Sequence, residues 1–223
     1  GAVMAAALLY LGKLNGIERP AIGTLYPTLK GTALLLDIGA NVDCRPSFLV
    51  QFAQLGSTYT ERVLGIKRPR VALLNNGEES HKGNRLVRES FNLLEKSGVN
   101  FIGNVEGKDL MYGVADVIVT DGFTGNIIVK TSEGLGVAMA EIMKQAISHS
   151  LYMRLATFFF KPALKVFTQK WDYTERGGAP LLGVNGNVII AHGRSRSKAI
   201  TNAIKIAQQA VEYKVLEALK GEL

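Results

Sequence analysis

A polar, glycine-containing turn with the sequence TDGFTGN at 120–126 is the strongest candidate for chemistry in this chain. Its glycines permit a tight turn before a helix, and Thr124 or Asn126 can cap that helix so that its first amides face a cleft. Amides at a helix start suit a phosphate oxygen or a developing oxyanion. The carboxylate of Asp121 can orient a substrate or move a proton, or it can simply hold the turn. The candidate phosphate-binding residues of this turn are Gly122, Thr124, Gly125 and Asn126.

A lysine in the sequence NNGEESHKGN at 75–84 is the second candidate. Lys82 carries a compact positive charge that can pair with phosphate, while Glu78 and Glu79 either fix that charge or remain in solvent. Asn84 resembles the N-cap of the helix that follows. We therefore place Lys82 and Asn84 in the site, together with Asp121.

Glycines and small polar residues also stand where other predicted strands end. They are Gly39 and Asn41 in LDIGANVD, Asn76 and Gly77 in the lysine loop, the sequence GNVEG at 103–107, and His192 after VIIA. Each is on its own an ordinary turn, and for His192 a capping role and a role in the cleft are equally open. Several such turns at successive strand ends favour one shared cleft for a phosphate or an oxyanion.

The elements that must position these residues alternate along the chain. Short apolar runs predict strands at 32–38, 70–75, 99–103, 114–120 and 187–191. Helical spacing of apolar residues predicts helices near 2–14, 46–64, 84–97, 107–112 and 125–148, and a closing helix near the C-terminal end. This alternation predicts an α/β fold with a mostly parallel sheet and helices on both faces. Ligands of such sheets bind beyond the carboxyl ends of the strands.

The last third of the chain changes character. The stretch LYMRLATFFFKPALKVF at 151–167 is basic and aromatic, and we expect it to form a protruding helical hairpin near 148–171. Such a hairpin can contact an anionic membrane surface or pack within the protein or its dimer. No linker or repeat divides the chain, so residues 1–223 are treated as one catalytic unit. The closing helix places on one side the residues Ile200, Ile204, Ala207, Val211 and Val215.

Composition limits the class of protein. A net charge of +7 favours acidic partners, although a merely soluble basic surface fits equally well. The basic residues are scattered without an RNA-type aromatic motif, which argues against nucleic acid. The single cysteine, Cys44, is expected to be an inert thiol, and the sequence contains no typical metal-ligand spacing, so neither a metal nor a cofactor is expected. Because one cysteine cannot form an internal disulfide, a reducing, cytoplasmic location is expected.

Ordered motifs across nearly the whole chain resemble one known family, the bacterial phosphate acyltransferases of phospholipid synthesis, also called phosphate:acyl-ACP acyltransferases. The matching pieces are RPAIGTLYP at 19–27, LDIGANVD at 36–43, NNGEESHKGN at 75–84, GNVEGKDL at 103–110, DVIVTDGFTGNIIVK at 116–130, DYTERGGAPLLGV at 172–184 and VIIAHGRS at 188–195. That family carries a further N-terminal segment with its own strands, so we expect part of the site to precede residue 1.

The resemblance implies a cytosolic homodimer that transfers a long-chain acyl group from acyl carrier protein to inorganic phosphate. The acyl phosphate would then serve a glycerol-3-phosphate acyltransferase in glycerolipid assembly. The resemblance also implies peripheral contact with the membrane and a fold like that of phosphotransacetylases and isopropylmalate dehydrogenases. In this reaction Lys82, Asn84 and the turn at 122–126 would bind phosphate or the oxyanion, and Asp121 would orient phosphate or manage a proton.

Other functions remain open from the sequence. A short-chain phosphotransacetylase using coenzyme A would share the fold, and so would a metal- and nicotinamide-dependent decarboxylating dehydrogenase, although the carboxylate cluster it needs is not found. A non-catalytic, membrane-associated scaffold would bind acyl carrier protein without releasing thiol in the presence of phosphate.

Overall fold

The computed structural model describes residues 1–148, 177–193 and 195–221. The aromatic stretch at 151–167, and with it nearly all of the hairpin predicted near 148–171, lies outside the described residues.

The described elements follow one another as helices and strands. They are α1 (Ala2–Tyr10), β1 (Ala21–Thr28), β2 (Gly31–Leu36), α2 (Pro46–Leu64), β3 (Val71–Asn75), α3 (Arg85–Leu94), β4 (Phe101–Glu106), a 3-10 helix (Gly107–Tyr112), β5 (Val117–Val119), α4 (Gly122–Ser148), β6 (Ala179–Leu182), β7 (Val188–Ile190), α5 (Ser197–Glu212) and α6 (Val215–Gly221).

The strands form one seven-stranded sheet in the order β4-β3-β5-β2-β1-β6-β7. Strands β4, β3, β5 and β2 are parallel neighbours, whereas β1 is antiparallel to both β2 and β6, and β7 is antiparallel to β6. Five strands, β2 to β6, therefore run in the same direction, and the predicted α/β class is confirmed. The antiparallel β1 and the four-residue β6 were not predicted.

Apolar side chains cover both faces of the parallel strands. On one face Leu34, Val71 and Val117 belong to a core that also contains residues of α2, α3 and α6. On the other face Leu35 and Ile118 pack with the 3-10 helix and with α4. Because successive side chains of a strand point to opposite faces, continuous apolar runs are what a doubly covered sheet requires.

Helix α2 lies very close to the sheet at Gly56. A Cβ atom at this position would lie 2.7 Å from Cγ1 of Val117 in β5 and 3.6 Å from Cδ2 of Leu34 in β2. The missing side chain thus allows α2 to pack directly over the two strands that lead into the candidate site.

The closing segment consists of two helices. Helix α5 packs through Ala199, Ala203 and Ala210, while Ile204 and Val211 are 64% and 62% exposed. The apolar stripe predicted on one side of this helix is therefore mostly its exposed side.

A pair of glycine-to-alanine substitutions tests the close packing of α2. We expect Gly56→Ala to lower the free energy of unfolding by about 1–3 kcal/mol, because the new methyl group overpacks the core against Val117. The matched variant Gly134→Ala lies in exposed α4 with no atom within 4 Å of the new Cβ, and it should raise stability by about 0.5–1 kcal/mol. Urea unfolding of the three proteins measures both effects, and equal values for the two variants would contradict the packing role.

Candidate functional site

Three of the predicted loops lie at the carboxyl end of the parallel strands. Strand β5 pairs with β2 through Leu36 and Val119, and with β3 through Leu73 and the same Val119. The loops that follow β2, β3 and β5 therefore leave the sheet at the same end. We call this end of the sheet the candidate cleft.

The loop after β2 is built around Asp37, a residue that the sequence did not single out. Its carboxylate is completely buried and accepts five hydrogen bonds. Oδ1 accepts from the amides of Ile22, Gly39 and Ala40 at 3.3, 3.1 and 2.9 Å. Oδ2 accepts from the backbone amide and the side-chain amide of Asn41 at 2.8 and 2.9 Å. One carboxylate thus fixes the whole loop and ties it to β1.

Burial raises the pKa of Asp37 above its ordinary value, and the hydrogen bonds from Ala40, Asn41 and Gly39 oppose that shift. Removal from water disfavours the charged form, whereas donors aimed at the carboxylate favour it. The five donors make this carboxyl group a structural anchor of the loop.

The predicted phosphate ligands Gly39 and Asn41 are part of this anchor. The amide of Gly39 donates to Asp37, and the side-chain amide of Asn41 donates to Asp37 and, at 2.8 Å, to the carbonyl of Pro20. Phosphate binding by Gly39 and Asn41 stays a prediction. It would require N–H groups that already donate to Asp37 and Pro20 in this structure.

Helix α4 begins at Gly122 and is capped by Asp121 rather than by Thr124 or Asn126. Oδ1 of Asp121 accepts the backbone amide of Thr124 at 2.8 Å, and Oδ2 accepts the hydroxyl of Thr124 at 2.9 Å. The side-chain amide of Asn126 instead donates to the carbonyl of Ile38 at 3.0 Å. Asp121 therefore holds the turn, and Asn126 joins α4 to the Asp37 loop.

The two glycines of the turn allow backbone to pack on backbone. A Cβ atom on Gly125 would collide with the carbonyl oxygen of Asp37, and one on Gly122 would lie 2.7 Å from that of Asn41. The amide of Gly122 donates to the same Asn41 carbonyl at 2.7 Å, so it does not point freely into the candidate cleft.

The lysine loop follows β3. The Nζ atom of Lys82 lies 2.9 Å from Oε2 of Glu79, with both side chains about half exposed. The hydrogen bond from Lys82 lowers the pKa of Glu79. Gly77 lies beneath the lysine side chain, and Asn76 is exposed. The structure therefore presents the Lys82 charge at the surface of the loop, paired with one carboxylate.

Two asparagines shape this loop. Asn84 accepts the amide of Val87 at 2.9 Å, which confirms it as the N-cap of α3. Asn75, which the sequence did not single out, donates to the carbonyls of Gly77 and Lys82 at 2.9 and 3.2 Å. Asn84 thus acts as a helix cap in the structure, and a direct catalytic role for it stays a prediction.

His192 lies at the other end of the sheet, so the prediction that it belongs to the candidate cleft is wrong. It follows β7, whose last residue Ile190 pairs with Ala179 at the start of β6. The end of β6, at Leu182, pairs with Ala21, which lies near the end of β2. Because β7 runs antiparallel to β6, its carboxyl end points away from Asp37.

Cys44 lies beside the candidate cleft but is chemically quiet. Its thiol donates to the carbonyl of Asn41 at 3.4 Å. Burial, together with the charge of Asp37, raises the pKa of Cys44 to about 12. The nucleophilic thiolate is therefore almost absent at neutral pH, which agrees with the predicted inert thiol.

Two further findings concern the described part of the chain only. It contains no group of three or more histidine, cysteine, aspartate or glutamate side chains placed to hold a metal ion. None of its helices is both long enough and apolar enough to cross a membrane.

An isosteric substitution tests the anchor in the loop after β2. We expect Asp37→Asn to lower the free energy of unfolding by at least about 1–3 kcal/mol, because the new NH₂ group faces buried donors that lose their acceptor. The exposed carboxylate of the same loop provides the control, since Asp43→Asn should change stability by no more than about 0.5 kcal/mol. Denaturant unfolding monitored by circular dichroism measures both variants, and equal stability of the two would contradict the anchoring role.

The chain is similar to known proteins both in sequence and in structure. The family model described as "Fatty acid synthesis protein" matches residues 1–218. Phosphate acyltransferase of Dictyoglomus thermophilum is 54% identical over 98% of this chain and 67% of its own length. Phosphate acyltransferase of Pelotomaculum thermopropionicum is 51% identical over 100% of this chain and 65% of its own length. The chain thus spans about two thirds of these relatives.

Solved structures share the fold at much lower identity. A phosphotransacetylase from Streptococcus pyogenes superposes with a TM-score of 0.62 at 19% identity, over 93% of this chain and 59% of its own. A branched-chain phosphotransacylase from Enterococcus faecalis superposes with a TM-score of 0.57 at 16% identity, over 90% of this chain and 66% of its own. With the fold of this sheet and the match over residues 1–218, the chain belongs to the fatty acid synthesis protein family, together with these phosphate acyltransferases.

Proposed function

We propose that the protein transfers a long-chain fatty acyl group from acyl carrier protein to inorganic phosphate, giving acyl phosphate for glycerophospholipid synthesis. The observation that carries this proposal is the 54% identity, over 98% of the chain, to a phosphate acyltransferase. The arrangement of loops at the carboxyl end of the parallel strands supports it, since this is where such sheets bind ligands.

The reaction needs little from the protein beyond positioning. A phosphate oxygen attacks the thioester carbonyl carbon, a C–O bond forms, the C–S bond breaks, and the carrier thiolate leaves and takes up a proton. Holding phosphate and thioester together removes much of the entropic barrier, and donors near the carbonyl oxygen stabilise its developing charge. Because the thiol of Cys44 is protonated, we propose direct attack by phosphate without an acyl-cysteine intermediate.

Lys82 is proposed as the principal phosphate ligand. Its ammonium group has three hydrogens, so it can keep its contact with Glu79 and still donate to a phosphate oxygen. Its partial exposure leaves the charge accessible from solvent.

The turn at 121–126 is proposed as the second part of the site. At the start of α4, Gly122, Thr124 and Gly125 give their amides to carbonyl or carboxylate oxygens of Asn41 and Asp121. The amide of Phe123, by contrast, donates no hydrogen bond among the described residues. It is therefore the proposed donor to phosphate or the oxyanion, and Asp121 orients it by holding the turn.

The proposed partners follow from charge and exposure. Acyl carrier proteins are acidic, and a chain with a net charge of +7 would attract them over a distance that shortens with salt. Helix α4 exposes Leu135, Val137 and Ile142, each by more than half, which supports a homodimer that covers this face. Peripheral membrane contact through 151–167 and delivery of acyl phosphate to a glycerol-3-phosphate acyltransferase complete the proposal for a cytoplasmic enzyme.

Product formation tests the proposed reaction. We expect the full-length protein to convert a long-chain acyl carrier protein and inorganic phosphate into acyl phosphate and free carrier thiol, without added metal or nucleotide. The Cys44→Ser variant should behave like the wild type. Thiol release with acetyl-CoA alone would favour a short-chain phosphotransacetylase, and carrier binding without phosphate-dependent thiol release would favour a scaffold.

Removal of the lysine charge tests the proposed phosphate site. We expect Lys82→Ala to raise the KM for phosphate by about 10- to 100-fold, since a hydrogen bond to a charged group is worth about 1.5–3 kcal/mol. The exposed Lys67 precedes β3 at the other end of the sheet, so Lys67→Ala should leave this KM within about twofold. Initial rates over a range of phosphate concentrations decide, and an unchanged KM in Lys82→Ala would remove this residue from the site.

A further inference from the structure

Asn104 in β4 contacts the loop at 75–84, which carries Lys82, although the proposed reaction does not use Asn104. Its side chain is 7% exposed, and its Nδ2 atom donates to the backbone carbonyl of Glu79 at 3.0 Å. Because a carbonyl oxygen can only accept, the amide orientation with Nδ2 toward Glu79 is fixed by chemistry. Asn104 thus links the central part of β4 to the loop that follows β3.

The carbonyl of Glu79 is the point at which the loop closes on itself. It also accepts the backbone amide of Lys82 at 3.1 Å, which closes a tight turn of four residues. The side chains of these two residues form the ion pair, with Nζ and Oε2 2.9 Å apart. The turn at 79–82 positions the ammonium group of Lys82. The hydrogen bond from Asn104 therefore holds this turn against the sheet.

A second amide holds the rest of the loop. Asn75 donates to the carbonyls of Gly77 and Lys82, and its side chain fills the space where a Cβ atom on Gly83 would lie. Asn75 pairs with Glu106 in β4, and Asn104 pairs with Leu73 in β3. The side-chain amides of Asn75 and Asn104 therefore bond to the loop from two adjacent strands.

The oxygen atom of the Asn104 side-chain amide contributes no hydrogen bond of its own. Its Oδ1 atom is buried and has no hydrogen-bond partner in the described residues. A buried acceptor without a partner is unfavourable, so the side chain gains little stability from its place in β4 beyond the bond that it gives to Glu79.

We infer that Asn104 is a positioning residue for phosphate, which acts by holding the Glu79–Lys82 turn so that the ammonium group of Lys82 faces the candidate cleft. The inference rests on the proposed function for its kinetic consequence. Its structural consequence, a loop fastened by one buried amide, does not depend on the reaction.

Two substitutions remove the donor in different ways. Asn104→Ala deletes the amide, whereas Asn104→Asp keeps its volume and replaces the donor by an oxygen. In both variants we expect hydrogen exchange of amides 77–83 to become faster and the KM for phosphate to rise about five- to tenfold, the loss of roughly one hydrogen bond. The turnover number at saturating phosphate and the KM for the acyl donor should stay within about twofold of the wild type, because loop ordering affects phosphate binding.

Asn100→Ala is the matched control. Asn100 precedes β4 and makes the same kind of bond, from Nδ2 to the carbonyl of Arg68 at 3.0 Å, at the other end of the strand. It should change neither the exchange of 77–83 nor the KM for phosphate. In a Lys82→Ala background, Asn104→Asp should add less than about twofold to that KM, since its effect passes through the lysine.

The outcomes separate the inference from the proposed function. Unchanged exchange of amides 77–83 in both Asn104 variants overturns the positioning role, and so does an equal rise of the phosphate KM with and without Lys82. If the wild-type protein forms no acyl phosphate, the proposed function fails, while faster exchange of the loop in both variants still supports the role of Asn104 in holding it.

Discussion

The buried carboxylate of Asp37 is the interaction on which the candidate cleft depends. Three elements meet at this group: the end of β2, the loop that returns toward α2, and the start of β1. Its five hydrogen bonds set the path of the loop, and Gly122 and Gly125 then let α4 pack against the backbone of that loop. A buried carboxylate is tolerated only where donors replace the lost water, and here three backbone amides and one side-chain amide of the loop and the amide of Ile22 in β1 supply them.

This packing has a consequence for the helix start at the candidate cleft. Most amides at the beginning of α4 are used to hold the turn, so a generic binding site made of all of them is not available. Among the described residues, the amide of Phe123 and the charge of Lys82 on the neighbouring loop are the donors that we propose for an anion. The proposed site therefore has fewer donors than a glycine-rich turn suggests, and the loops that carry them are held by Asp37, Asn75 and Asn104.

The sequence predicted β2, β3 and β5 because strands covered on both faces are continuous apolar runs, as at 32–38 and 114–120. It placed the strand of β4 at 99–103, whereas β4 is Phe101–Glu106, so the turn predicted at 103–107 lies mostly within the strand. It did not reveal β1, which contains Gly23 and Pro27, or β6, which has only four residues and includes Pro180. Both prolines weaken a strand pattern, and both lie outside the short pairing of β1 with β6, so each has a strand partner on one side only among the described residues. The error at His192 has the same origin, since the end of the sheet that a strand reaches depends on its direction, and direction is not visible in the residues of β7.

The candidate site was only partly predictable for a related reason. Lys82, Asn84 and Asp121 were proposed as site residues because their residue types follow strand ends in the sequence, and their roles stay predictions. Asn104 was missed because it acts across strands, on the carbonyl of Glu79, and only the register of β3 and β4 brings the two together. Asp37 and Asn75 bond mostly to nearby residues of their own loops, at 39–41 and at 77 and 82. Residue type alone does not tell a carboxylate or an amide that holds its own loop from one that faces a ligand.

The most direct measurement of the central claim is a crystal structure of the full-length protein with inorganic phosphate bound. We predict phosphate at the carboxyl end of β3 and β5, with one oxygen within hydrogen-bond distance of Nζ of Lys82 and another near the amide of Phe123. Phosphate bound only at the opposite end of the sheet, near His192, with Lys82 paired to Glu79 alone, would contradict it.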